Sequence, residues 1–459
     1  MQSKIELQNE IESQIIVKPV SHYKNYAISP TGTNITELNT TSNPQITFEF
    51  PADSILNFSR VHLTFNRTNT SGNTVASNYL YIPTNYFPFI SRIELYTSGG
   101  NLKLVDLPQA DVYSKSSAYM NNNFLKNFGK VSSILYPKQN YGGNLINDLP
   151  NSSANGDGNS VVEFDSYEWS DGAEFGARAY NVRLGDAFPD TIFNLNKSIY
   201  VAKSVFLRIT FNNINKIVGT CVKASTVPVA FSNTSKMAVS NFQLKIYSEN
   251  DPLIIEQLKN QSRQGVSYVM PDIVSNVINT QGSGVKGFQM KVSNMTGNND
   301  SRLYKCYSIL NATGNNAYIP YLILPTSNYN NEKYNYLSLF VNSFNILNLD
   351  TTMADDLQHL VLQNADHSIT DLTYIKDIGS ICNVFDTSPA KKEYNQDELK
   401  GLLFGPSGDI TINWQYTIPT GVDDVISGGT NPSYENYQHA VILRKLYAKD
   451  GQLSTVPFN

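Results

Sequence analysis

The chain has 459 residues, more than one ordinary core organises, and suits two large domains or two all-β domains of the size such folds reach. Charged residues make up 16% and the formal net charge is -5, which excludes a dedicated basic face for nucleic acid, while 28 Tyr, 22 Phe and abundant Asn, Ser and Thr describe strands joined by turn-rich loops. Cys221, Cys306 and Cys382 stand far apart without a CxxC pair, which excludes a disulfide framework or a zinc pattern and leaves them as small buried apolar residues.

Residues 1–20, MQSKIELQNEIESQIIVKPV, carry acids and no continuous apolar core, so they read as no secretory signal but as an N-terminal arm or a short amphipathic helix. No run anywhere approaches the roughly 18 apolar residues of a helical membrane span. From residue 45 the strand signal is clear: Ile46, Phe48 and Phe50 alternate with polar neighbours, then Val61, Leu63 and Phe65 do the same. N-x-S/T triplets, as at Asn39, Asn66 and Asn311, follow from the Asn, Ser and Thr content. Strands are expected at 79–83, 92–96 and 102–105, with the Gly-Gly of TSGGN (97–101) at a hairpin tip. Helical spacing of Val112, Lys115 and Tyr119 predicts a short helix, and residues 140–159 read as a long surface excursion. Strands at 161–169, 180–184 and 205–211 close this half.

The midpoint changes period. Phe242, Leu244 and Ile246 alternate as a half-buried strand, after which Asp251 caps a helix, Pro252 fits its first turn, and Leu253, Ile254 and Leu258 share a face that Gly265 ends. The stretch predicts a seam: a linking helix at 249–265 whose apolar face, carried by Leu253, Ile254 and Leu258, packs between two β-rich halves. Beyond it strands are expected at 288–292, 302–310, 318–324 and 336–341. A helix at 352–364 follows, capped by Thr352 and striped by Met353, Leu357, Leu360 and Val361. Weaker helices near 371–378 and 397–402 precede strands at 410–416 and 440–447.

No catalytic constellation stands out. His359 and His367, with Asp355, Asp356, Asp366 and Cys382 nearby, lack a metal-ligand motif and read as a solvated helix end. Glu163, Asp165 and Glu168 alternate on one predicted strand, which is the solvent face of an edge and not the facing pair a glycoside hydrolase needs. The Gly-Gly pairs at 99–100, 142–143 and 428–429 lack a P-loop lysine and read as turns. The chain therefore reads as a non-enzyme without a cofactor or metal.

Three stretches resemble the double jelly-roll major capsid proteins of virophages and polinton-like viruses. FPFISRIELYTSGGNLKLVDLPQADVYSK (87–115) is similar to part of the first jelly roll, DPLIIEQLKNQ (251–261) to the link into the second, and YQHAVILRKLY (437–447) to the last strand. The N-terminal motifs of the capsid proteins of large nucleocytoplasmic DNA viruses are not found. The resemblance implies an all-β chain: two tandem eight-stranded jelly-roll β-sandwiches with a few short helices in connections. Its parts would be an arm at 1–20, a first jelly roll at 21–248, a linking helix at 249–265 and a second jelly roll at 266–459. It further implies homotrimers with a pseudo-hexagonal outline that tile an icosahedral virion shell enclosing DNA, assembled inside the host cell. The implied partners are other copies, neighbouring capsomers, penton and minor capsid proteins, with no specific nucleic-acid recognition and room for an internal membrane. The residues leave two alternatives open. One is a tandem β-sandwich that binds carbohydrate, such as an adhesin or spike, using exposed Tyr and Trp; the other is a polysaccharide-active enzyme.

Overall fold

Alternating apolar residues bury one side of a strand and leave the other polar, so two such strands are stable only when their buried sides meet. In the computed structural model they do. The structure describes residues 23–32, 34–71, 78–83, 86, 89–98, 102–114, 167–171, 178–217, 219–222, 236–282, 284–293, 301–313, 336–341, 344–349, 381–386, 402–404, 409–418 and 433–456.

The first half contributes β1 (Tyr23–Ile28), β2 (Glu37–Asn39), β3 (Gln45–Phe50), β4 (Ser54–Asn57), β5 (His62–Ser71), β6 (Asn78–Pro83) and β7 (Ile90–Thr97). It continues with β8 (Lys103–Pro108), β9 (Tyr167–Asp171), β10 (Arg178–Arg183), β11 (Ser198–Val201), β12 (Val205–Phe211), β13 (Gly219–Val222) and β14 (Lys236–Glu249). One sheet runs β10-β5-β14-β4-β11, with β1 and β2 also on β14; a second runs β3-β12-β7-β8, and a small third runs β13-β6-β9. Phe65 of β5 marks where the two larger sheets meet. Its ring lies 5.7 Å from Phe211 of β12 in the opposite sheet, 5.5 Å from Phe89, and stacks on Tyr180 at 4.8 Å and Phe242 at 5.7 Å. Edge-on and offset contacts of this kind add to what burial alone contributes.

After a linking helix (Pro252–Gln264) come β15 (Val266–Gln281), β16 (Gly284–Ser293), β17 (Ser301–Thr313), β18 (Tyr336–Val341) and β19 (Phe344–Leu349). The last strands are β20 (Ile381–Asp386), β21 (Leu402–Phe404), β22 (Asp409–Ile418), β23 (Ser433–Lys449) and β24 (Gln452–Val456). One sheet runs β15-β23-β17-β20, with β21 on β17 and β24 on β23; the other runs β16-β22-β18-β19. No described strand of one half pairs with a strand of the other. Phe288 and Met290 of β16 and Ile410, Ile412 and Trp414 of β22 are buried in the second half.

The expected strands at 205–211 and 336–341 match β12 and β18, and those at 45–50, 61–65, 79–83, 92–96, 288–292, 302–310, 410–416 and 440–447 lie within or against observed ones. Residue 184 starts a helical turn (Leu184–Ala187) instead of ending a strand. Of the short helix expected through Val112, Lys115 and Tyr119, residues 110–114 are helical and 115–119 lie outside the described residues. Residues 1–20, 140–159 and the expected elements at 318–324, 352–364 and 371–378 lie outside the described residues, as do 397–401. Leu402 of the expected 397–402 helix begins β21 instead. Replacing Phe65 by Ala is expected to lower the unfolding free energy by about 3–5 kcal/mol, measured by chemical denaturation.

Candidate functional site

A strand that is apolar in one phase needs one covered face; a strand apolar in both phases needs two. β23 is of the second kind. Every residue from 436 to 443 is buried, whichever face it occupies. Tyr437, Val441 and Leu443, with Met270 and Ile273 of β15 and Tyr304 of β17, join the same contiguous core as Phe48, Leu63 and Leu207 of the first half. Ala440 and Ile442, in the alternate phase, are buried but outside that cluster. The seam therefore runs along β15, β23 and β17, with β15 lying beside β8.

The first half presents a braced segment to this face. Tyr113 donates its hydroxyl hydrogen to Asp190 Oδ2 at 2.6 Å and accepts from the Asp190 backbone N–H at 3.2 Å. Asn212 Nδ2 donates to Asp111 Oδ2 at 2.8 Å. Held in this way, the Tyr113 ring meets His439 of β23 edge to face, 5.5 Å between centroids. His439 is fully buried, its Nδ1 2.8 Å from Ser275 Oγ, and burial pushes its pKa down from 6.5 to about 3. It is a neutral imidazole at neutral pH.

A second polar group sits at the β15 side of the seam. Arg444 NH1 lies 3.0 Å from Asp272 Oδ2, and both side chains are mostly buried. Burial raises the Asp272 pKa, the Arg444 charge beside it lowers it, and the carboxylate of Asp106 in β8 raises it again. Asp106 is itself held by Arg92 and Lys103, each at 2.6 Å, which also flank the buried Glu94.

The linking helix has another part. Asp251 is its N-cap, with Oδ1 accepting the Leu253 N–H at 2.9 Å, and Pro252 occupies the first turn. Leu253, however, is 70% exposed, and Ile254 and Leu258 are only half-buried. The expectation of an apolar face containing Leu253 and packed between the halves is corrected: the inward side is centred on Ile255, Lys259 and Ser262, on the opposite side of the helix from Leu253. The helix lies against β11 of the first half and β23 of the second. Gly265 ends it at φ +88° and ψ 129°, a backbone conformation that side chains rarely adopt, with the Tyr447 hydroxyl against it, so glycine is favoured there.

Among the described residues no group of three or more His, Cys, Asp or Glu is placed to hold a metal ion. Glu163, Asp165, His359, His367, Asp355, Asp356 and Asp366 lie outside the described residues, as do the three Gly-Gly pairs. Cys306 is buried.

With this geometry in hand, comparison with solved structures is decisive for the architecture. The mavirus major capsid protein superposes with a TM-score of 0.54 at 13% identity, covering 96% of this chain and 92% of that one. A chain of the Sputnik virophage cryo-EM structure gives 0.56 at 10% identity, covering 96% and 90%. The Faustovirus major capsid protein gives 0.52 at 11% identity, covering 93% and 91%. The chain has the fold of double jelly-roll major capsid proteins. No protein-family model and no curated protein sequence matches it.

Tyr113, Asp272, His439 and Arg444 were not among the expected seam residues. The signal was present in QHAVILRK (438–445), where polar residues interrupt a run apolar in both phases. Two outcomes are expected. Leu253→Asp changes the unfolding free energy by about 0.5 kcal/mol or less, whereas Leu443→Asp, which buries a carboxylate in the seam, costs more than about 4 kcal/mol. Because the native state keeps His439 neutral while the unfolded chain takes up a proton below pH 6.5, its contribution to stability falls as pH drops through that value toward 3. The wild type should lose about 2 kcal/mol relative to His439→Gln between about pH 8 and pH 5, read from denaturation curves at each pH.

Proposed function

We propose that this chain is a structural major capsid protein, with jelly rolls at 21–248 and 266–459, a linking helix at 249–265 and an N-terminal arm at 1–20. Three copies form a ring in which six jelly rolls give a pseudo-hexagonal outline, and such rings tile an icosahedral virion shell that encloses DNA. The observation that carries this reading is a likeness in fold that spans 96% of the chain and includes both halves, with the mavirus major capsid protein. It is supported by the apolar seam that joins the two halves through one contiguous core. A closed ring of three uses one heterologous interface three times, where low charge and abundant Tyr and Phe are favourable. Neighbouring capsomers, penton and minor capsid proteins are the further partners on this reading, and the protein acts in the virion without catalysis.

Light scattering coupled to size-exclusion chromatography should give a mass of three times 51.1 kDa, and negative-stain images should show hexagonal particles. A monomer that stays monomeric at high concentration, and binds immobilised glycans, would sink this reading in favour of a carbohydrate-binding adhesin.

A further inference from the structure

We propose that the turn at Asp450 and Gly451 is a latch that fixes the angle between the two sandwiches, a role that deepens the capsid reading and depends on it only for the consequence for assembly. The turn joins β23 to β24, with φ +50° at Asp450 and +70° at Gly451, the left-handed pair that a two-residue hairpin requires. It is inserted between the linking helix and the end of β11. On the helix side, the Gly451 N–H donates to Ser262 Oγ at 2.9 Å and the Asp450 N–H donates to the Ser262 carbonyl at 3.0 Å. On the other side, the Ala202 N–H of the first half donates to the Gly451 carbonyl at 3.0 Å. The fit is close: a Cβ on Gly451 would stand 2.6 Å from both the backbone nitrogen and the Cβ of Ala202, and 2.7 Å from the Tyr200 ring.

The same helix carries a second tie to the first half. Lys259 Nζ lies 2.7 Å from Asp53 Oδ1 and 5.1 Å from the centre of the Tyr200 ring, and the Tyr200 hydroxyl donates to Asp53 at 2.8 Å. Helix, hairpin and β11 thus form one hydrogen-bonded junction among residues that are 200 or so apart in the chain. The aliphatic stem of Lys259 covers the ring while its amine reaches the carboxylate.

Apolar packing across the seam supplies attraction but little direction, because burial is rewarded wherever it occurs. Hydrogen bonds supply direction. From His439 to Asp450 the strand advances roughly 36 Å at about 3.3 Å per residue, so the Tyr113–His439 contact and the latch hold the two halves at well-separated points. One such point permits rocking; two remove it. In a ring of three where each copy supplies two of six equivalent positions, that angle decides whether the ring closes.

The test uses the full chain with nitroxide labels, carried by non-canonical residues, at the exposed positions Gln45 and Val285. Their distance distribution is measured by pulsed electron resonance, with amide exchange at Ala202, Asp450 and Gly451 followed in parallel. The double substitution Gly451→Ala and Lys259→Met drives a Cβ against the Ala202 backbone, which parts the Ala202–Gly451 bond, and removes the Lys259–Asp53 pair. It should broaden the distribution at least about twofold and speed exchange at those amides roughly tenfold, with exchange in β5 and β14 unchanged. Widths and exchange rates equal to the wild type overturn the latch and leave the angle to apolar packing. Trimer content of the same samples is read separately: a monomeric wild type counts against the capsid reading alone.

Discussion

The second half of this molecule depends on β23 being covered on both faces. Tyr437, Val441 and Leu443 join the first half's core while Ala440 and Ile442 between them are buried outside it, and further along Leu446 and Ala448 join that core as well. Two sandwiches with solvent-facing outer sheets would each need polar residues in alternate positions. Here the alternation is lost from 436 to 443 because there is no solvent on either side. The same constraint explains why the described strands of the two halves share no sheet yet their residues form one core: strand pairing is not needed to make the contact.

Such a doubly buried strand must settle its own register, and polar residues do so. Asn276, Gln438 and Ser308 lie opposite one another across β15, β23 and β17. Asn276 Nδ2 donates to Gln438 Oε1 at 3.3 Å and Asn436 Nδ2 to Ser308 Oγ at 2.9 Å. A slip of two residues keeps each side chain on its face but sets an amide against an aliphatic neighbour. Buried polar pairs of this kind contribute little net stability and a great deal of discrimination between registers. His439 follows the same logic in the opposite phase, where Ser275 and Tyr113 satisfy one nitrogen and one face of the ring.

Strands with one wet face were readable from the chain, because alternation at Phe48, Leu63, Leu207 or Ile412 needs no knowledge of the partner. β15 was not readable. Most of its residues are half-buried on both sides, and Pro271 within it argues against a strand. The structure resolves the conflict by placing β15 at the end of its sheet's order, where one edge has no described neighbour and a sheet tolerates proline. The linking helix was legible in its caps, Asp251 and Gly265, but not in its orientation. Three apolar residues near its start suggested an inward face, whereas the side turned to the protein is set by Lys259 and Ser262. Polar contacts decided by tertiary geometry leave no periodic trace. The seam failed for the same reason: Tyr113 and His439 are more than 300 residues apart, and nothing local in either announces the other.

The position of β23 in the chain bears on how the protein is made. It is synthesised after both β15 and β17, yet it lies between them. β14 likewise follows β4 and β5 and then fills the space between them. Each half therefore stays an open frame on the ribosome until its late strand emerges, exposing strand edges that invite pairing with other nascent chains. A product cut short before residue 433 lacks the strand that completes the second sheet and covers the first half's seam. The order of the strands thus makes the complete chain, and no shorter product, the form in which both halves are closed.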